Sequence, residues 1–383
     1  MAILYLPVPH SSIEISNKLH PTVRLNSICP YFTMFPLTFP YSLLKEAKKK
    51  DLIFDPFCGR GTTNYAARLR GLSSYGIDSN PVAHAIAQAK LVEVKPREVA
   101  ALCRDILLHT SSKRHPKGEF WEWAYHCETL NDICKLRQYF NSKTRLNRID
   151  IALRALCLGI LHGPLMKTEP SYLSNQMPRT FATKPDYSVR FWETRNLEPR
   201  YVNVLSLVKR KAEYIFNDQL PKKSKGKIIL SDSRRLTGIP EEKFDWIITS
   251  PPYFGMVTYE QDQWLRNWFL GGLDSVHYPN PQQIKHGSEG SFKEDIAKVW
   301  KNVAKRSKSN AKMVIRFGAL PSLSQKTPTE LIKESLQLSD VGWKIDTIRR
   351  AGKANPQHRQ ANQFKNSPGG YIEEIDVYAV LKN

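Results

Sequence analysis

An α/β fold built on one seven-stranded sheet is what this sequence predicts, and three observations carry the prediction. Seven short segments read as strands, at 51–55, 74–78, 227–231, 244–249, 311–318, 343–350 and 374–381, a number that fits a single sheet. The first two are separated by one helix-length stretch, the spacing of a βαβ unit. Between Asp78 and Asp232 the chain is far longer than one connecting helix requires, so residues from about 97 to 225 must hold extra structure.

The first strand is the apolar run Leu52, Ile53 and Phe54, which stops at Asp55 and Pro56 and leads into Phe57-Cys58-Gly59-Arg60-Gly61-Thr62-Thr63. That is strand, tight turn, helix. Glycine lacks a Cβ, so Gly59 and Gly61 can take positive φ and let a ligand lie against the backbone. Free N–H groups at the start of the next helix favour electron-rich ligand atoms. A plain βα turn is the competing reading of a lone Gly-x-Gly. The segment lacks the third glycine of a dinucleotide fingerprint and the Gly-Lys-Ser/Thr of a P-loop.

The following helix runs from about Thr63 to Leu69 and stops at Gly71; the second strand then ends in Ile77-Asp78-Ser79-Asn80-Pro81. An acid at the carboxyl end of a second strand can accept two ribose hydroxyls, which makes Asp78 a candidate ribose ligand. It could also cap the helix beginning near Pro81, a task for which Asn80 is better placed.

The stretch from Arg97 to Lys225 reads as mainly helical. Residues 128–142 and 145–162 show helical spacing, with Leu130, Ile133, Leu136 and Phe140 on one stripe and Leu146, Ile149, Leu153, Leu156 and Ile160 on another, both expected to face a core. After His162-Gly163-Pro164 the pattern breaks into the polar and aromatic loop Tyr172-Leu173-Ser174-Asn175-Gln176-Met177-Pro178-Arg179. Asn and Gln can pair bidentately with adenine, and Arg with guanine or phosphate, so Asn175, Gln176 and Arg179 are candidate DNA contacts. A lid over a cofactor could use the same residues.

Phe244-Asp245-Trp246-Ile247-Ile248-Thr249 reads as a buried strand that ends at Ser250-Pro251-Pro252-Tyr253. Two prolines remove backbone donors and fix φ where the chain leaves the sheet, which makes the turn rigid. Such a turn aims the Ser250 hydroxyl and the carbonyls near Pro251 at one point, with the Tyr253 ring as a wall for a flat base. A proline-terminated edge strand explains the prolines alone, but not two such corners on strand ends of one chain. The last two strands alternate Ile345, Thr347, Ile348 and Ile375, Val377, Tyr378, Val380, and are joined by a polar stretch that carries Lys353 and Arg359, two further candidate DNA contacts.

The pair Asp-Pro-Phe-x-Gly-x-Gly-Thr-Thr and Thr-Ser-Pro-Pro-Tyr resembles the amino-methyltransferases that act on DNA bases. Upstream, Cys29-Pro30-Tyr31-Phe32-Thr33-Met34-Phe35-Pro36 is similar to that family's His-Pro-Tyr-x-x-x-Phe-Pro segment, with cysteine in the histidine position. The resemblance implies a Rossmann-like class I methyltransferase fold: a seven-stranded, mostly parallel sheet with an antiparallel last strand, plus a mainly helical insertion. It implies S-adenosyl-L-methionine as cofactor, held by Tyr31, Phe35, Asp55, Phe57, Cys58, Gly59, Gly61, Thr62, Thr63, Asp78, Ser79, Asp232, Ser233 and Ser250. Among these, Tyr31 and Phe35 would touch the methionine part and Asp232 the adenine amine.

Ser250, Pro251, Pro252 and Tyr253 would be the catalytic residues. The serine form of the motif leans toward the N4 amine of a flipped cytosine over adenine N6, and an RNA base methyltransferase would use the same pocket. A non-catalytic DNA-binding module is the remaining alternative. The implied organisation is residues 1–96 as the N-terminal segment and first part of the catalytic domain, 97–225 as the insertion and candidate target-recognition region, and 226–383 as the second part. Restriction-modification or defence is the implied setting, with a cognate restriction endonuclease as an accompanying partner; oligomeric state is not implied.

Composition agrees with a double-stranded DNA partner. The 57 Lys and Arg against 36 Asp and Glu leave a formal charge of +21, which phosphate contacts would draw on. No transmembrane run is present, and the apolar start lacks a basic n-region and is broken by Pro7 and Pro9, so a cytoplasmic protein is expected. Six cysteines at 29, 58, 103, 127, 134 and 157 make no Cys-x-x-Cys pair and no metal spacing with histidine, which points to reduced thiols and no metal. Covalent catalysis of the cytosine C5 type would need a cysteine after the proline of the later motif, and Pro252 stands there.

Overall fold

Alternation along the strands decides what each face of the sheet buries. In the computed structural model, which describes residues 20–31, 35–112, 114–164, 169–177, 184–235, 237–254, 263–274, 276, 284, 287–319, 324–353 and 373–382, the seven strands are β1 Leu52–Asp55, β2 Ser73–Asp78, β3 Gly226–Leu230, β4 Phe244–Thr249, β5 Ser307–Gly318, β6 Trp343–Lys353 and β7 Glu373–Leu381. Ile53, Trp246 and Ile248 point to one face, and Phe54, Phe244 and Ile247 to the other. The Phe54 and Phe244 rings stack with centroids 4.4 Å apart.

On the first face lie helices Thr62–Leu69, Pro81–Ala89, Pro96–His109, Cys127–Ser142, Arg148–Ile160 and Val204–Ile215, whose apolar stripes share one continuous core with the sheet. Of the predicted stripes, Leu130, Ile133, Leu136, Phe140, Leu153, Leu156 and Ile160 are buried there, and Leu146 and Ile149 are half-buried against the same core. The second face is covered by helices Glu289–Lys305 and Pro328–Ser339, with Trp300 fully buried between helix and sheet. Of the helical stretch between β2 and β3, Pro81–Ala89 packs on the strands, and the later helices pack on it and on one another, sharing the core on that face.

Strand order is β3-β2-β1-β4-β5-β7-β6. β1 runs parallel to both β2 and β4, and β4 parallel to β5, whereas β7 is antiparallel to both of its neighbours β5 and β6. This is the seven-stranded arrangement with an antiparallel last strand that the sequence motifs implied. Order reverses between β1 and β4: the chain moves from β1 outward to β2 and β3, then returns to β4 on the other side. At such a switch point the loops diverge and leave a crevice beyond the carboxyl ends of the strands. Both motif corners, after β1 and after β4, open onto that crevice. Among the described residues no helix is long and apolar enough to cross a membrane, and no cluster of His, Cys, Asp or Glu has metal-holding geometry.

Candidate functional site

Two hydrogen bonds tie the two corners together. Thr249, last residue of β4, donates from its hydroxyl to Asp55 Oδ1 of β1 at 2.6 Å, and Thr63 donates to the Ile248 carbonyl at 3.2 Å. The segments predicted to meet are thus side by side on adjacent strand ends. Asp55 also accepts the Phe57 amide at 3.1 Å. It is 2% exposed, and burial pushes its carboxyl up to about 7 against the pull of these donors, with the nearby Asp78 charge adding to the rise.

The glycine bend is fixed by Asp78. The Gly59 amide donates to Asp78 Oδ2 and the Asn80 amide to Oδ1, both at 2.8 Å. Burial raises Asp78 to about 6, the two amides pulling the other way. A carboxylate has about four acceptor directions, so these two bonds leave room for hydroxyl donors from a ligand. Asn80 caps helix Pro81–Ala89 by accepting from Val82 and Ala83, which leaves Asp78 outside the capping role.

The two glycines do different work. Both have positive φ, 50° at Gly59 and 75° at Gly61. A Cβ on Gly59 would meet nothing within 4 Å, whereas one on Gly61 would sit 2.9 Å from the Ala87 Cβ. Only Gly59 faces open space. Gly61 lets helices Thr62–Leu69 and Pro81–Ala89 touch, a packing requirement that the sequence reading did not include. No side chain caps helix Thr62–Leu69, whose first amide groups therefore have no side-chain acceptor there.

Cys58 is buried, and its thiol is pushed well up by burial and by the charges of Asp78 and Asp55, which makes it a poor nucleophile. Phe57 stands half-buried with its ring edge-on to Trp300 at 6.4 Å. Thr62 is buried and Ser79 half-buried beside the bend.

Upstream, Arg60 reaches out of the bend and donates to the Asn26 carbonyl at 2.7 Å and the Tyr31 carbonyl at 3.4 Å, holding the segment that carries Tyr31 against the glycine loop. Lys90, wholly buried, donates to Asn26 Oδ1 at 2.7 Å, and burial beside Arg60 pushes its ammonium well down. Phe35 is buried against Phe39 at 5.2 Å. None of the three residues Asn26, Arg60 and Lys90 was legible as a site residue, because their roles depend on contacts between segments far apart in sequence.

At the second corner Ser250 is 8% exposed, and its hydroxyl oxygen is buried with no hydrogen-bond partner among the described residues. A buried hydroxyl left unmet costs free energy unless a ligand meets it. Pro251 is buried and Pro252 half-buried. Tyr253 departs from expectation. Its ring is 1% exposed, edge-on to Phe317 at 5.7 Å, and its hydroxyl donates to Glu374 Oε1 at 2.9 Å. An apolar ring with a satisfied hydroxyl gains more in the core than at the crevice, so in this conformation it presents no free stacking face.

Asp232 is saturated by a neighbour. Arg234 donates to it from its amide at 2.8 Å, from Nε at 3.0 Å to each oxygen and from Nη2 at 2.6 Å, and joins it to Asp295 at 2.6 Å. The resulting carboxyl is held below its usual range, and in this state it is not a free acceptor for an amine. Ser233 donates to the Pro56 carbonyl, fixing this loop to the first corner.

The proposed DNA contacts fare less well. Asn175 is 8% exposed, and its amide nitrogen donates to the carbonyls of Trp123 and Leu197 while its oxygen accepts from the Gln176 amide. It is a loop clamp, which corrects its assignment as a base reader. Gln176 is half-buried, and its carbonyl accepts from Trp192 Nε1 at 2.6 Å. Arg179 and Arg359 lie outside the described residues, and Lys353 ends β6.

Residues 10–89 match a family described as DNA methylase. The chain is 25% identical over 244 residues to the type II methyltransferase M.BsoBI of Geobacillus stearothermophilus, which covers 58% of this chain and 48% of that protein. It is 28% identical over 133 residues to the type II methyltransferase M.MjaII of Methanocaldococcus jannaschii, covering 34% and 24%. The matched part thus spans less than half the length of either relative. Among solved structures, TrmN from Thermus thermophilus aligns at a TM-score of 0.38 and 9% identity over 94% of this chain and 53% of that one. TehB from Haemophilus influenzae aligns at 0.35 and 10% identity over 92% and 64%.

Proposed function

With its kinship to the DNA amino-methyltransferases as premise, we propose that this protein methylates the exocyclic N4 amine of a cytosine extruded from double-stranded DNA, using S-adenosyl-L-methionine. The observation that carries the reading is the orphaned Ser250 hydroxyl, buried at a strand end that is hydrogen-bonded through Thr249 to the strand carrying the glycine bend.

The cofactor fits the residues present. Gly59 borders open space, Asp78 has acceptor capacity for ribose hydroxyls, and the uncapped start of helix Thr62–Leu69 offers amide groups. When bound, the cofactor supplies an electrophilic methyl carbon on a sulfonium. The chain's own residues do the rest. The Ser250 hydroxyl and the Ser250 and Pro251 carbonyls accept the amine's N–H groups, which directs the nitrogen lone pair away from its ring. This acts by proximity and by preorganised acceptors, without a strong base. Proline at 251 and 252 keeps those acceptors from relaxing away. The base must leave the duplex to reach this corner, and the positive charge of the chain supports the grip on phosphates that extrusion needs.

Residues 97–225 are the proposed target-recognition region. The test is to incubate the protein with methyl-labelled cofactor and duplex DNA, digest to nucleosides and identify the labelled base. N4-methylcytosine is expected. Label in N6-methyladenine overturns the choice of base, and label confined to RNA overturns the choice of nucleic acid. Ser250→Ala is expected to lower turnover by about a hundredfold while S-adenosylhomocysteine affinity stays within about twofold, since the substitution removes an acceptor for the base and no contact to ribose.

A further inference from the structure

The side chain of Tyr253 turns away from the crevice into the core, and what it meets there is a carboxylate. Glu374, the second residue of β7, is 2% exposed and accepts the Tyr253 hydroxyl at 2.9 Å. Across the sheet Arg316 of β5 pairs with Asp376 through two bonds of 2.7 Å, and its charge is felt by both Glu374 and Tyr253. One guanidinium thus serves two buried carboxylates. A buried carboxylate is unfavourable unless donors meet its oxygens, so the tyrosine hydroxyl stabilises Glu374 as Glu374 fixes the ring.

The backbone on either side of Tyr253 is also held. Pro251 and Pro252 precede it, and the next residue, Phe254, forms an isolated parallel bridge with Ala319 just past β5. The Glu374 bond fixes the direction of the Tyr253 side chain within this held corner. We propose that Glu374 is a positioning residue: by anchoring the Tyr253 hydroxyl it sets the direction in which Ser250 and Pro251 face the target base. This rests on the reading of that corner as the target-base pocket.

The test compares Glu374→Gln, Glu374→Leu, Tyr253→Phe and the double variant Tyr253→Phe/Glu374→Leu in DNA methylation, with S-adenosylhomocysteine affinity measured on each by calorimetry. Glutamine keeps an acceptor for the hydroxyl and is expected to stay within about threefold of wild type in kcat/KM for DNA, whereas Glu374→Leu and Tyr253→Phe each fall by about tenfold or more. The double variant should be no worse than Tyr253→Phe alone, because both changes act on one bond. S-adenosylhomocysteine affinity should hold throughout. If Glu374→Leu does not fold, Tyr253→Phe deletes the same bond from its other end. Wild-type kcat/KM in Tyr253→Phe, or additive losses in the double variant, overturns the proposal. Wild-type protein that binds S-adenosylhomocysteine and methylates no DNA overturns instead the reading of the corner on which it rests.

Discussion

At the residue scale, two carboxyl groups make the site pH-sensitive in opposite senses for binding and for stability. Asp78, raised to about 6, must be ionised to accept hydroxyl donors, so S-adenosylhomocysteine affinity at pH 5 is expected to be about tenfold weaker than at pH 8, measured by calorimetry. Stability moves the other way. Asp55 ionises near 3.8 in the unfolded chain and near 7 when folded, so between those values the unfolded state sheds its proton first and stability declines as pH rises, levelling off above about 7. Asp55→Asn removes that decline, and its Tm relative to wild type is expected to rise between pH 5 and pH 8. The two glycines differ in degree: both substitutions to alanine should lower Tm because both sites have positive φ, Gly61→Ala the more through its contact with Ala87, whereas Gly59→Ala should in addition weaken cofactor binding, because its methyl group enters the space beside the bend. Residue identity alone singled out Asp78, Gly59 and Ser250 as candidates, because their backbone positions at strand ends are readable locally. It misjudged Asn175 and Tyr253, because each is decided by a partner that arrives from elsewhere in the chain; Arg234, only two residues from Asp232, was in plain view, but whether its side chain folds back on that carboxylate is a rotamer choice, set together with its bond to Asp295.

At the element scale, the strands were legible because each is a short apolar or alternating run closed by Gly, Pro or Asp, and the segment Phe244–Thr249 coincides with its predicted bounds. Helix Cys127–Ser142 was readable from its stripe for the same reason. The position of β7 between β5 and β6 was not, since pairing direction leaves no periodic trace in an individual strand; only the motif resemblance supplied it. How the N-terminal segment docks was equally hidden. It depends on Gly159 in helix Arg148–Ile160, where a Cβ would come 2.0 Å from the Ile28 carbonyl oxygen. Gly159→Ala must push that segment, and Cys29 with it, off the helix. Destabilisation of about 2 kcal/mol or more is expected in denaturant unfolding, with weakened cofactor binding because Tyr31 moves too.

At the scale of the whole molecule, charge and topology set the behaviour. A formal charge of +21 predicts binding to non-cognate duplex DNA that falls by about a thousandfold between 50 and 200 mM salt, measured by fluorescence anisotropy. A nearly flat salt response would remove phosphate contacts as the source of affinity. The wedged strand β7 has a further consequence, for biogenesis. Its neighbours β5 and β6 are synthesised earlier and never bond to each other, so a nascent polypeptide emerging from the ribosome carries two raw edges until residues 373–381 arrive to zip them. Stops placed between β6 and Glu373 should therefore yield aggregates, and the demand for chaperones would fall on the interval between release of β6 from the ribosome and arrival of residues 373–381.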